Sequence, residues 1–310
     1  METIKDIRKS TPSRRSFLAG AGAIGATAAL AGCNNGVTES TGPGAVTYPA
    51  LDFADNDILN FALNLEYLEA EFFLRAATGS GLLPVDALTG AGTVTGGAQV
   101  VGLSSQPKVQ SYVNEIAQAE LNHVRALQAL IAANSGTPVA RPAINFTAAF
   151  NSLAAAAGIG AAFDPFSSVN AFLVGAFVFE DVGVTAYNGA APLLASTPIL
   201  DQAAGIAAVE AYHAAEIRTL LVGFGEQNND RTYVGYANKI SALRGTLGGG
   251  DETPLGLMSI VAADSRNAIG FARTTSQVLH IVYGVGGGAG VKSGGFFPNG
   301  LNGMISTTTA

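Results

Sequence analysis

Apolar residues recur at helical spacing in four stretches of the chain, and in each one the apolar stripe is interrupted by an ionisable residue. The clearest stripe reads Ile116, Glu120, His123, Leu127, Leu130, and a second reads Ile206, Glu210, His213, Ile217, Leu220. Both follow the i, i+3/i+4, i+7 rule of a core-facing helix. A Glu and a His three residues apart project from one helix face, so both reach a single point in space. The other two stripes carry one carboxylate each: Ala62, Leu63, Glu66, Ala70, Phe73, Ala77 and Leu173, Phe177, Glu180, Val184, Tyr187.

These patterns predict helices over residues 57 to 77, 107 to 134, 168 to 188 and 199 to 224. Gly79 stops the first, and Gly136-Thr137-Pro138 stops the second. Residues 78 to 106 hold seven glycines and read as a long loop or two short pieces. Residues 139 to 167 form a long connection, with 144 to 147 extended and 148 to 157 a short helix. After Gly225 the periodicity fades into Gly-rich loops, interrupted by one short helix over 274 to 283.

The order is therefore Glu66, Glu120-x-x-His123, Glu180, Glu210-x-x-His213: a helix pair that repeats, its halves joined by a long crossover. Four carboxylates buried together are prohibitive without compensation, because an isolated buried charge costs several kcal/mol. They must be protonated or bound to cations. Two divalent metals offset four charges, with two Glu free to bridge and one Glu plus one His terminal on each metal. Mixed carboxylate and imidazole donors suit iron or manganese.

Taken together, these residues resemble the ferritin-like di-iron/di-manganese carboxylate superfamily, whose bundle places a Glu on each of two helices and a Glu-x-x-His on each of the other two. The runs 59 to 73 and 179 to 187 and the closing segment 294 to 303 are similar to its exported, desiccation-related branch. The resemblance covers residues 50 to 303. It implies an all-α four-helix bundle with one long crossover over residues 50 to 225, a Gly-rich C-terminal extension with a short helix over 226 to 310, and Glu66, Glu120, His123, Glu180, Glu210 and His213 as ligands of two Fe or Mn ions. Glu69 and Glu71 compete with Glu66, which fits the stripe best; Glu69 stays open as a replacement or an addition. Glu216 reads as a neighbour of the site or a surface charge, Asp181 as an ion-pairing residue, and His280 as a packed or surface histidine. Tyr67, Tyr187 and Tyr212 flank the ligands.

Composition adds limits. The 310 residues are 48% apolar and 13% charged, with no internal run of 18 to 20 uninterrupted apolar residues, the length a spanning helix needs. The net charge of −7, with no basic cluster outside the N-terminus, gives nucleic acid nothing to bind. Ser13-Arg14-Arg15-Ser16-Phe17-Leu18 resembles a twin-arginine export signal, and Leu30-Ala31-Gly32-Cys33 a lipobox. Residues 1 to 32 are thus expected to be a signal peptide, Cys33 the lipidated membrane anchor, and residues 33 to 49 a flexible tether. Cleavage removes five basic and two acidic residues and leaves −10. The expected location is the periplasm or cell envelope. Two functions follow from the resemblance: a di-metal oxidoreductase acting on O2 or peroxide, with ferroxidase, oxidase or catalase-like activity, or a non-catalytic stress protein with a structural or vestigial site. A rubrerythrin-like electron relay is disfavoured because Cys33 is the only cysteine.

Overall fold

The computed structural model describes residues 53–309, so the expected signal peptide, Arg14, Arg15 and Cys33 lie outside the described residues. Four long helices carry the four stripes: α1 (Asp55–Thr78), α3 (Pro107–Ala133), α5 (Val169–Ala190) and α6 (Thr197–Gln227). Short α2 (Pro84–Ala87) and strand β1 (Val94–Thr95) fall in the Gly-rich segment, strand β2 (Ile144–Asn145) and α4 (Phe146–Ala156) in the crossover. β1 and β2 pair in parallel, Val94 opposite Ile144, and tie the two connections together.

Local chemistry sets the helix ends. Gly79, at φ 82°, closes α1 with a bond from its N–H to the Arg75 carbonyl, in the left-handed conformation glycine adopts freely. Ser168 caps α5 by accepting the Ala171 N–H, and Asn145 caps α4 by accepting that of Ala148. The Asp55 carboxylate on α1 accepts the Ala195 and Ser196 N–H groups at the entry to α6, joining the two halves of the bundle.

α1 packs chiefly on α3 and α5 on α6, while α1 and α5 also meet. Two apolar clusters fill the interior. One, built around Phe72, Phe73, Phe172 and Phe177, takes the C-terminal half of α1 with the crossover and the extension. The other, with Leu59, Leu63, Leu127, Ile131 and Ile199, takes its N-terminal half. The carboxylates fall between them. α5 with the turn behind it is apolar enough to cross a membrane by composition, but its most apolar window is 89% buried in the bundle, so its apolarity is that of a central core helix.

The C-terminal extension is more ordered than its glycine content suggests. Alongside the expected short helix, α8 (Thr275–Val282), it holds a 17-residue helix, α7 (Thr232–Gly248), for which the sequence pattern predicts no element. α7 has only a broken apolar stripe: Val234, Ala237, Ile240 and Leu247 pack on the main core cluster, but Ser241 and Arg244 interrupt that face and an ion network completes its burial. Arg218 of α6 and Arg244 of α7 both bind Asp181 at 2.8 Å, and Arg244 and Arg273 bind Glu252 at 2.8 and 2.6 Å. The closing segment docks on α1 through Asn64, whose side chain exchanges two bonds with the Asn302 backbone. Gly295, at φ 48°, passes so close to the Val282 carbonyl that a Cβ would meet it.

Candidate metal centre

At mid-height of the bundle the four stripes converge. Glu66, Glu120, Glu180 and Glu210 are 0% exposed, and His123 and His213 are 7% exposed. Donor atoms within 4.8 Å of one another form two groups, Glu66, Glu120, His123, Glu210 and Glu120, Glu180, Glu210, His213. All six residues picked out by their spacing are thus brought together. Glu120 and Glu210, the carboxylates of the two Glu-x-x-His turns, are common to both groups. Glu66 with His123 and Glu180 with His213 complete one group each.

In both imidazoles Nδ1 faces the carboxylates. His123 Nδ1 lies 3.3 Å from Glu66, 3.6 Å from Glu120 and 3.1 Å from Glu210; His213 Nδ1 lies 2.9 Å from Glu120 and 3.6 Å from Glu180. The two rings stand 6.0 Å apart between centroids. Yet among the described residues neither Nδ1 nor any of seven of the eight carboxylate oxygens finds a properly directed hydrogen bond; the eighth, Glu66 Oε1, accepts from the Tyr187 hydroxyl. Nine buried polar atoms without partners would be severely destabilising in an ordinary core. They crowd together without bonding one another, as donors do when arranged around points between them. Carboxylate oxygens and imidazole nitrogens are the donor set that fits iron or manganese.

The electrostatics of the protein without metal agree. Burial pushes the Glu120 and Glu210 carboxyls up to about 8, helped by neighbouring carboxylates and opposed by His123. Glu180 is held well above the usual carboxyl range by burial and then by Glu210 and Glu120. Burial opposes charge on His123, but Glu120, Glu210 and Glu66 outweigh it and raise its pKa; His213 is lowered, by burial first. A cluster that must hold protons when empty is one that cations can take over.

The competing residues separate cleanly. Glu71 is bound by Arg75 at 2.9 Å and by Arg141, so its charge is already paired. Glu69 is buried beside the cluster, its pKa raised by burial and by Glu210, Glu120 and Glu66, but belongs to neither donor group. Asp181 pairs with Arg218 and Arg244, and His280 is a packed histidine whose Nδ1 meets the Val285 carbonyl at 2.8 Å. Glu216 is half-buried and Tyr212 is 75% exposed. Tyr67 bonds the Val139 carbonyl and Gln128, leaving Tyr187 as the tyrosine of the site.

Spacing alone did not reveal Gly183. It follows Glu180 by one turn of α5, and a Cβ there would stand 2.7 Å from Glu210 Oε2 and 3.1 Å from Glu69 Oε1. The signal was a glycine inside a helix stripe, which costs about 1 kcal/mol against alanine and therefore points to a close approach.

Comparison with known proteins agrees with this architecture. The ferritin-like domain family matches residues 54–223. A ferritin-like catalase from Nesocodon mauritianus is 33% identical over 276 residues, covering 83% of this chain and 86% of that protein. A desiccation-related protein from Craterostigma plantagineum is 33% identical over 249 residues, 73% of this chain and 76% of its own length. Family match, relatives and the four-helix carboxylate cluster together place the chain in the ferritin-like family, in its desiccation-related branch.

Proposed function

We propose that this protein binds two iron or manganese ions in the carboxylate cluster and disproportionates hydrogen peroxide. The observation that carries the reading is the set of nine unpartnered donor atoms shared between two overlapping groups. Glu66, Glu120, His123 and Glu210 would hold one ion, and Glu120, Glu180, Glu210 and His213 the other. The relative named a catalase favours peroxide as substrate over the ferroxidase and oxidase alternatives.

Two redox-active ions held there would supply the electron storage that the reaction needs. One peroxide loses two electrons and two protons and leaves as O2; a second gains both and becomes two waters. The chain's own groups hold the centre. Tyr187 donates to Glu66 Oε1 and so fixes the carboxylate with its other oxygen towards His123. The two apolar clusters above and below limit water, which strengthens electrostatic interactions inside. Export by the twin-arginine route, and anchoring in the envelope through Cys33, belong to the same proposal and rest on residues 13 to 18 and 30 to 33.

The test is elemental analysis followed by a peroxide assay. Two Fe or Mn per chain and O2 released at one per two peroxides consumed support the reading. The desiccation-related relative favours a second one, a stress protein with a structural metal. Two ions per chain without peroxide turnover would select it.

A further inference from the structure

The side of the cluster formed by α1 and α5 differs from the side that carries the histidines. Glu69 and Gly183 lie on it, and the Gly183 backbone runs against the centre so closely that a Cβ there would meet Glu210 Oε2 at 2.7 Å and Glu69 Oε1 at 3.1 Å. On their outer side the same two residues border a small chamber of about 20 Å³, walled by Leu68, Val182 and other apolar side chains, with Glu69 as its one charged residue. Such a volume suffices for roughly one water-sized molecule. Its outer wall comes from the C-terminal extension: Ile281 and Val282 of α8, and Phe296 from the closing segment.

On the far side of that wall lies a second, larger cavity of about 330 Å³ between α4, α7 and the extension. Ile281 and Phe296 line both cavities. Phe296 is pinned in place: its N–H donates to the Val282 carbonyl at 2.9 Å, and its ring packs edge-on against Phe150 and Phe179 at 5.1 and 4.9 Å. The bundle alone would leave the chamber open. The extension closes it to a constriction.

We propose that these two cavities form the entry passage to the centre, with Phe296 and Ile281 as its size filter, so that the substrate class is small neutral molecules of hydrogen peroxide's size and excludes bulkier alkyl hydroperoxides and ions. The proposal rests on the metal reading above, since a passage needs a reactive centre at its end. The apolar walls oppose any charged species, which would lose hydration without gaining partners. A neutral peroxide loses less, and Glu69 and Gly183 at the inner end are all that separates it from the centre. The constriction also gives the extension a role in specificity that is separate from holding metal.

The test compares wild type with Phe296→Ala and Ile281→Ala, two independent ways to widen the constriction, and with Val282→Phe, which narrows the chamber. Metal content is measured first. Each Fe(II)-loaded protein is then oxidised by hydrogen peroxide or by tert-butyl hydroperoxide in single turnover, and its association with nitric oxide, a small neutral probe, is followed by stopped-flow absorbance. Expected are full metal loading throughout and a wild-type preference for hydrogen peroxide that falls by about tenfold or more in either widened variant, the scale on which a pocket discriminates by size. Nitric oxide association slows in Val282→Phe. Full loading with unchanged peroxide preference in the widened variants overturns the passage and leaves the metal reading standing. Failure of the wild type to load two ions overturns both. If Phe296→Ala does not fold, Ile281→Ala and Phe296→Leu decide.

Discussion

Stripping the metal should make stability fall as pH rises, which is the reverse of ordinary acid denaturation. Glu120 and Glu210 titrate at about 8 in the metal-free fold and near 4.5 when unfolded. With the folded pKa raised, the fold is favoured while the carboxyl is neutral; that stability is fully present below about 4.5 and is lost as pH climbs to about 8. The two carboxyls face one another, so their protons leave as a coupled pair and we count one shift. At about 1.4 kcal/mol per pH unit, one carboxyl costs about 3 kcal/mol between pH 5.5 and 8. For a domain of this size that lowers Tm by roughly 10 °C. His123, whose pKa is also raised, acts in the same sense above its unfolded value of about 6.5. The assay is thermal unfolding of chelator-treated protein across this range, with and without added Mn(II). Metal addition should restore stability most at high pH, where ligands need not surrender protons. A metal-free Tm that is flat or rises from pH 5.5 to 8 would refute the reasoning.

Gly183→Ala places a Cβ 2.7 Å from Glu210 Oε2, the far end of a flexible side chain, so the fold should yield cheaply while the shared carboxylate moves: metal affinity drops at least about tenfold with Tm of the metal-free protein changed little, checked by metal titration and melting. Glu66→Gln should bind fewer than two ions, whereas Glu69→Gln should still bind two, which elemental analysis distinguishes. Arg244→Met leaves Asp181 and Glu252 short of a buried partner and should cost about 3–5 kcal/mol by denaturant unfolding, detaching the extension before the bundle melts.

The bundle was legible in the sequence because its helices are amphipathic and its ligands interrupt the stripes at fixed spacing. Glu120 with His123 and Glu210 with His213 announce a shared point, and Glu66 and Glu180 complete it. What spacing cannot express is which carboxylates are shared; that follows from the relative heights of α3 and α6, which bring Glu120 and Glu210 into both groups. α7 is not legible because Ser241 and Arg244 interrupt its apolar face, and the partners that make Arg244 a buried residue, Asp181 and Glu252, leave no periodic trace. Asp181 could be read as an ion-pairing residue, but its partners at 218 and 244 could not be named from sequence. Gly183 and Phe296 matter through what they leave open or close, and that depends on neighbours distant in sequence.

The central claim is that Glu120 and Glu210 hold two ions between them. Crystals of protein grown with iron and manganese supplied, measured by anomalous scattering at the absorption edge of each metal, test it most directly. The account predicts two ions per chain, each bound by Glu120 and Glu210, with Glu66 and His123 completing one and Glu180 and His213 the other. A single ion, or ions bound elsewhere with Glu120 and Glu210 unliganded, would contradict it.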